Sequence, residues 1–103
     1  LSDVTPLIRH HHERWDGTGY PDGLAGVNIP AGARILSLAD AFDSMVSGRV
    51  YAPTPTLEAA FEEVVRRAGT QFDPSVVEAF KTIWSDGKIH LLFKELEPPG
   101  TNL

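Results

Sequence analysis

Cysteine is absent from the 103 residues of this chain, and basic residues are few. Without thiols no disulfide can form, and a metal ion would have to be bound by His, Asp or Glu. The net charge of −5 argues against binding to a nucleic-acid polymer, which requires a basic surface. No apolar run reaches the roughly 18 residues that a membrane-spanning helix needs, and no secretory leader opens the sequence, so we expect a cytoplasmic protein.

Hydrophobic residues make up 42% of the chain, which is enough to form a core. Apolar residues recur at helical spacing in four segments, at about 1–14, 30–46, 57–68 and 74–84. Thr56 and Asp73 are suited to cap the third and fourth helices, and Gly69 is suited to end the third. The predicted fold class is therefore all-α.

The periodic signal weakens after Ser85. Residues 89–96 are compatible with either a short helix or a strand, and a Pro-Pro-Gly run follows them. We therefore assign residues 1–88 to the helical domain and residues 89–103 to a C-terminal tail.

Glycine is concentrated in residues 15–29, which also contain Trp15 and Tyr20. So many glycines predict a loop with special backbone angles, and the two aromatic residues favour an ordered one. The loop lacks the G-x-G-x-x-G spacing of dinucleotide-binding turns and the lysine of a P-loop. Taken alone it is compatible with an ordinary ordered loop.

Three of the four histidines are adjacent, in the run His10-His11-His12-Glu13. Successive side chains on a helix diverge by about 100°, so neighbours do not readily bind one ion, but they can each reach a different ion of a cluster. Metals in such clusters lie roughly 3.5–4 Å apart. The run indicates a multinuclear metal site, with a solvated polar patch or an affinity-tag remnant as the alternative.

Asp40 interrupts the apolar pattern of the second predicted helix. Aspartate is a poor helix former and is rarely buried unless it is paired, so a hard cation is a plausible partner. Asp43 lies one turn later and Ser47 one turn after that, and for Asp43 we favour an ordinary polar stripe.

These motifs together resemble a known family. The run from His11 to Pro21, HHERWDGTGYP, is similar to the HHE…DGxGYP signature of the HD-GYP family. The similarity continues in separated blocks that keep their order and spacing: Gly23-Leu24, Gly26, Ile29-Pro30, Ala33-Arg34-Ile35, Ala39 to Asp43, Ser47, Arg49, Tyr51 and Gly69 to Pro74. It covers roughly residues 7–80, which is most of the chain.

The resemblance implies the C-terminal helical portion of an HD-GYP domain. It also implies a centre of two or three divalent metal ions, iron or manganese, that hydrolyses cyclic di-GMP to pGpG or GMP in bacterial second-messenger signalling and two-component systems. Carried over by position, His11 and His12 are ligands to different metals and Asp40 is the last ligand in sequence. Arg49 is similar to the arginine that contacts the substrate phosphate.

The loop Gly19-Tyr20-Pro21 resembles the family segment beside the site, which in some members contacts GGDEF-domain partners. Two positions depart from the family pattern, because Ala52 replaces a basic residue and Val50 replaces a proline. One phosphate contact is therefore expected to be missing.

The family also needs an upstream histidine, an adjacent His-Asp pair and a lysine, none of which this sequence supplies at the required positions. We therefore expect this chain to be inactive alone, and either to self-associate, as in a homodimer, or to rearrange its helices. Two alternatives stay open. One is a non-catalytic module that binds GGDEF or response-regulator partners through Tyr20 and Pro21, and the other is a different nucleotide hydrolase of the HD superfamily.

Overall fold

The computed structural model describes residues 3–47 and 56–95. Over these two ranges the chain forms helices and no β-strand, which confirms the all-α prediction. The elements are α1 (Thr5–His10), a 3₁₀ turn (Gly26–Asn28), α2 (Ala31–Ser47), α3 (Leu57–Arg66), α4 (Pro74–Ser85) and α5 (Lys88–Glu95). None of these helices is both long and apolar enough to cross a membrane.

Helix α1 ends at His10, four residues earlier than predicted. The chain turns there: Glu13 N–H donates to the His10 carbonyl at 3.0 Å, and His11 forms the C-cap. His10 is therefore the last helical residue, His11 keeps helix-like backbone angles of φ −73° and ψ −9°, and His12 lies in the turn that follows. The glycine loop that follows competes with helix continuation by binding the Glu13 side chain.

The predicted caps of α3 and α4 are both present. Thr56 accepts a hydrogen bond from Ala59 N–H at 3.1 Å, and Asp73 accepts one from Ser75 N–H at 2.8 Å. Gly69 has a φ of 84° and its N–H donates to the Phe72 carbonyl at 2.8 Å. A compact turn therefore joins α3 to α4.

The core lies between α2, α3 and α4. Its buried members are Leu38, Phe42, Ala60, Val64, Phe72, Val77 and Phe80. Phe42 is central, with its ring centroid 5.1 Å from that of Phe80 and 5.6 Å from that of Phe93 on α5. Residues 88–95 are thus a helix that packs on the core, while the domain boundary at residue 88 stays a prediction.

An apolar groove of about 600 Å³ lies where α2, α4 and α5 meet. Its lining is Ile35, Leu38, Ala39, Phe42, Asp43, Ser75, Val76, Ala79, Phe80, Ile83, Ile89, Leu92 and Phe93. Ile35 is 58% exposed and Leu92 50% exposed. Substantial apolar surface on this side of the helices therefore faces solvent.

Candidate metal centre

One cavity of about 210 Å³ brings together the three predicted metal ligands. His11 and His12 reach it from the turn after α1, and Asp40 reaches it from the middle of α2. The rest of its lining is Glu13, Arg14, Tyr20, Ser37, Ala41 and Gln71. Residues far apart in sequence therefore converge on one polar cavity.

The two imidazoles lie side by side. Their ring centroids are 4.0 Å apart and their planes are inclined by 39°. His11 Nδ1 lies 2.6 Å from the Ile8 carbonyl oxygen, which can only accept a hydrogen bond. Nδ1 therefore carries a proton, so Nε2 is the ring nitrogen of His11 that a metal ion could use. The donor set of two imidazoles and a carboxylate suits iron, manganese or zinc.

Glu13 is buried directly beside the histidines. Its carboxylate accepts hydrogen bonds from Asp22 N–H and Leu24 N–H, both at 3.0 Å, and lies 3.1 Å from His10 Nδ1. Burial alone raises the pKa of Glu13, but the N–H of Asp22, the His10 ring and the N–H of Leu24 together lower it below its ordinary value. The side chain is therefore held as a carboxylate.

A second group with metal-binding chemistry lies next to the cavity. His10, Glu13 and Asp22 each present a ligand atom, and these atoms lie within 4.8 Å of one another. Arg9 also contacts this group, through an ion pair with Asp22 at 2.9 Å. A cation could bind here only in competition with the hydrogen bonds that hold the loop. Sequence reasoning assigned no role to His10, and the structure places it in this network.

The glycine loop is joined to the turn between α3 and α4 by backbone hydrogen bonds. Trp15 N–H donates to the Gln71 carbonyl at 3.1 Å, and Asp16 N–H donates to the Thr70 carbonyl at 2.9 Å. This pairing brings Gln71 to the cavity. The sequence signal for Gln71 was its place in the run Gly69 to Pro74, but its position at the centre was missed.

Arg14 and Ser37 also line the cavity and were not predicted as site residues. Arg14 Nε donates to Thr18 Oγ1 at 3.0 Å, so its guanidinium is held at the edge of the loop. Ser37 lies one helical turn before Asp40, and this spacing was the available signal for it. Both could contribute polar contacts to an anionic ligand.

Asp43 does not line this cavity. It lines the apolar groove, and it accepts a hydrogen bond from Ser47 Oγ at 3.1 Å. Arg49, the predicted phosphate contact, lies outside the described residues, as do Val50, Tyr51 and Ala52. Their roles stay predictions.

Replacing Gly19 by alanine should displace the loop from the histidines. A Cβ at this position would lie 2.4 Å from the His12 carbonyl oxygen and 2.6 Å from Arg14 N, both backbone atoms that cannot easily move. We expect Gly19→Ala to destabilise the chain by about 1–3 kcal/mol, the usual effect of overpacking, in urea unfolding followed by circular dichroism. Gly26→Ala is the comparison. Gly26 has a φ of 57° and no atom close to the position of a Cβ, so backbone strain alone should lower the unfolding free energy by about 1–2 kcal/mol. The diagnostic difference is that only Gly19→Ala should shift the NMR signals of the His12 ring, and unchanged signals would contradict the described packing.

Comparison with known proteins finds similar sequences among phosphodiesterases. Residues 1–76 match a family model described as HD domain. A cyclic di-GMP phosphodiesterase of Vibrio cholerae is 48% identical over 83 residues, which are 81% of this chain and 17% of that protein. A cyclic di-GMP phosphodiesterase of Thermotoga maritima is 51% identical over 70 residues, which are 68% of this chain and 19% of that protein.

A solved structure shows the same arrangement of helices. The crystal structure of a cyclic GMP-AMP-specific phosphodiesterase of Vibrio cholerae matches with a TM-score of 0.72 at 31% identity. The match covers 85% of this chain and 20% of that one. The chain thus spans a fifth or less of the length of these relatives.

Proposed function

Because this chain belongs to the HD domain family, and its resemblance to the HD-GYP phosphodiesterases is confirmed by these relatives, we propose that it contributes ligands to the metal centre of a cyclic di-GMP phosphodiesterase. The observation that carries the proposal is the convergence of His11, His12 and Asp40 on one cavity. We propose these three residues as the ligands that this chain provides.

The ligand set fits two or three divalent ions, iron or manganese, in the complete domain. Such ions, when bound, supply Lewis acidity and positive charge for phosphodiester hydrolysis. The sequence contains no His-Asp dipeptide, so the remaining ligands of the family centre must come from elsewhere in the protein. This chain alone is therefore proposed to bind metal weakly and to lack activity.

The residues of the chain have separate tasks in this proposal. The hydrogen bond from His11 Nδ1 to the Ile8 carbonyl orients its Nε2. Arg14 on the cavity edge and Arg49 are proposed to contact the phosphates, which would supply local positive charge to a chain whose net charge is −5. Gln71 and Ser37 add neutral hydrogen-bonding groups to the lining.

Cyclic di-GMP is the substrate that the relatives favour. The cyclic di-GMP phosphodiesterases described above are 48% and 51% identical to this chain, and three cyclic GMP-AMP-specific phosphodiesterases of Vibrio cholerae are 41%, 37% and 44% identical. Both substrates are cyclic dinucleotides with two phosphodiesters. The proposal places the protein in the cytoplasm together with its second-messenger substrate.

Hydrolysis by the intact protein that carries this chain tests the proposal. With Mn²⁺ or Fe²⁺ present, chromatography of the products should show cyclic di-GMP converted to pGpG or GMP faster than cyclic GMP-AMP is cleaved. Removal of the metal with a chelator should abolish turnover, and its return should restore it. Bound metal without cleavage of either dinucleotide would contradict the enzymatic function.

A second candidate function is a non-catalytic module that binds a GGDEF-domain or response-regulator partner. It is supported by the exposure of Tyr20, at 61%, next to Pro21 and the 60% exposed Ile8. Tyr20→Ser and Ile8→Ser would then weaken binding of a GGDEF domain in a calorimetric titration. If the protein acts only as an enzyme, the unaltered protein binds no GGDEF domain, and the two substitutions have no effect in this titration.

Self-association is proposed for the chain studied by itself. Burial of the apolar groove against a second copy would remove exposed side chains such as Ile35 and Leu92 from water. We expect Leu92→Glu to lower the mass measured by light scattering from dimer to monomer. Leu91→Glu is the matched control, because Leu91 is 59% exposed on the same helix but does not line the groove. A monomeric mass for the unaltered chain at high concentration would refute this proposal.

A further inference from the structure

The carboxylate of Glu13 is buried beside the candidate centre, and the proposed chemistry gives it no task. Its side chain has no solvent exposure. One oxygen, Oε1, accepts from Leu24 N–H, and the other, Oε2, accepts from Asp22 N–H and lies 3.1 Å from His10 Nδ1. A buried carboxylate is costly unless such donors surround it, so these contacts form a built arrangement rather than an incidental one.

Tyr20 lies between two points at which the loop is fixed. On one side, Gly19 crosses the backbone of residues 12–14 so closely that a Cβ would lie 2.4 Å from the His12 carbonyl oxygen. On the other side, Glu13 holds the N–H groups of Asp22 and Leu24. The Tyr20 ring is thereby placed on the His12 ring, with centroids 5.0 Å apart and planes inclined by only 18°.

The two histidines are oriented by different means. His11 is held by a hydrogen bond from its Nδ1 to the Ile8 carbonyl. His12 is held by ring contacts, with the His11 ring centroid at 4.0 Å and the Tyr20 ring centroid at 5.0 Å. Any change that frees Tyr20 should therefore affect the direction of the His12 imidazole more than that of His11.

We propose that Glu13 is a positioning residue for His12: by holding residues 22–24 it keeps Tyr20 stacked on the His12 ring and fixes the face that this imidazole presents to the cavity. The inference rests on the proposed function only in the assignment of His12 as a metal ligand. Loss of a direct hydrogen-bond partner of a metal-binding histidine typically lowers metal affinity about 10–100-fold, and because Glu13 acts on His12 through the loop we expect the lower end of that range.

NMR of the metal-free chain with labelled histidine tests the inference. Glu13→Gln replaces an acceptor oxygen by an NH₂ group that must face N–H donors. We expect the amide signals of Asp22 and Leu24 to move, and the ring protons of His12 to lose the ring-current displacement caused by Tyr20. The His11 ring signals should stay in place. The Mn²⁺ affinity of the intact protein, measured by calorimetry, should fall about tenfold.

Glu78→Gln is the matched control, because Glu78 is an exposed glutamate on α4 whose ion-pair partner is Lys81. It should leave the His12 signals and the Mn²⁺ affinity unchanged. If Glu13→Gln moves the Asp22 and Leu24 amides but leaves the His12 ring signals unchanged, the inference is overturned. If circular dichroism shows that Glu13→Gln does not fold, Tyr20→Leu replaces it, since Tyr20 is exposed and the Glu13 contacts remain.

Tyr20→Leu should produce the same loss of displacement at His12 and the same fall in affinity, and unchanged affinity would overturn the inference. The NMR spectra of the metal-free chain test the positioning role whether or not the proposed function is correct. If the metal-free chain shows the expected His12 changes but the intact protein binds no Mn²⁺, the metal centre is refuted and the positioning role stands.

Discussion

Replacing Asp40 by asparagine is expected to lower the affinity for Mn²⁺ roughly a hundredfold or more. This loss is larger than the usual effect of removing a residue that only hydrogen-bonds to a metal ligand. Asp40 is the one carboxylate from α2 that lines the cavity with His11 and His12. An amide has nearly the same shape but no charge, so it removes the attraction for a divalent cation without leaving a gap. Calorimetric titration of the intact protein with Mn²⁺ measures the change, and the rate of cyclic di-GMP hydrolysis by the same protein should fall with it.

The folded structure should not be affected by this change, because Asp40 is exposed on its helix. Asp43→Asn is the matched control: it is the same substitution one turn later on α2, at a carboxylate that lines the apolar groove and binds Ser47. We expect it to leave Mn²⁺ affinity unchanged. Equal losses in the two variants would mean that the cavity does not define the metal site.

Replacing Asp73 by alanine should cause the largest loss of stability, about 3–4 kcal/mol in urea unfolding. Asp73 is 4% exposed and has two roles, as the N-cap of α4 and as the ion-pair partner of Arg34 at 2.7 Å. Loss of the cap costs about 1 kcal/mol, and loss of one partner of a buried ion pair typically costs about 3–5 kcal/mol. Because the Arg34 side chain is 18% accessible, we expect the ion pair to contribute at or below the lower end of this range, about 3 kcal/mol.

Thr56→Ala provides the control for Asp73. Thr56 caps α3 through the same kind of hydrogen bond but is exposed, so its loss should cost only about 1 kcal/mol. Similar values for the two substitutions would show that the bond between Arg34 and Asp73 contributes little. That bond connects the start of α2 to the start of α4 and so fixes the helix that carries Asp40.

The effect of Asp73→Ala should also depend on pH. Burial alone raises the pKa of Asp73, but the hydrogen bonds from Arg34 and Ser75 lower it further than burial raises it, so the pKa lies below its ordinary value of 3.8. A lowered pKa stabilises the folded chain above the unfolded pKa, and this stabilisation is lost as the pH falls through the folded value. The difference in unfolding free energy between the original chain and Asp73→Ala should therefore be constant near neutral pH and become smaller below about pH 3.8. A difference that grew on acidification would contradict the assignment.

The helices and their caps could be predicted from the sequence because they depend on local information. Apolar spacing identified α2, α3 and α4, and the cap chemistry of Thr56 and Asp73 marked where two of them begin. The end of α1 could not be predicted in the same way. It is determined by contacts from Glu13 to the backbone at residues 22 and 24, which no periodic pattern encodes.

The candidate centre was predictable only in part for the same reason. His11, His12 and Asp40 stand out by residue type and by their resemblance to a motif. Gln71 reaches the cavity only because the backbone at residues 15–16 pairs with that at residues 70–71. Such pairing is a property of the folded chain, and a neutral polar side chain in a turn gives no independent signal of it.

The same backbone pairing has a thermodynamic consequence. Two cavity residues from different segments, His12 and Gln71, come together only when residues 15–16 meet residues 70–71. An unfolded chain cannot assemble such a pocket, so an ion that occupies it acts as a ligand of the native state alone. Linkage then raises the melting temperature with ion concentration, and at a hundred times the dissociation constant adds about 2.7 kcal/mol to the unfolding free energy. Thermal denaturation thereby reports occupancy of the pocket even where no catalysis takes place.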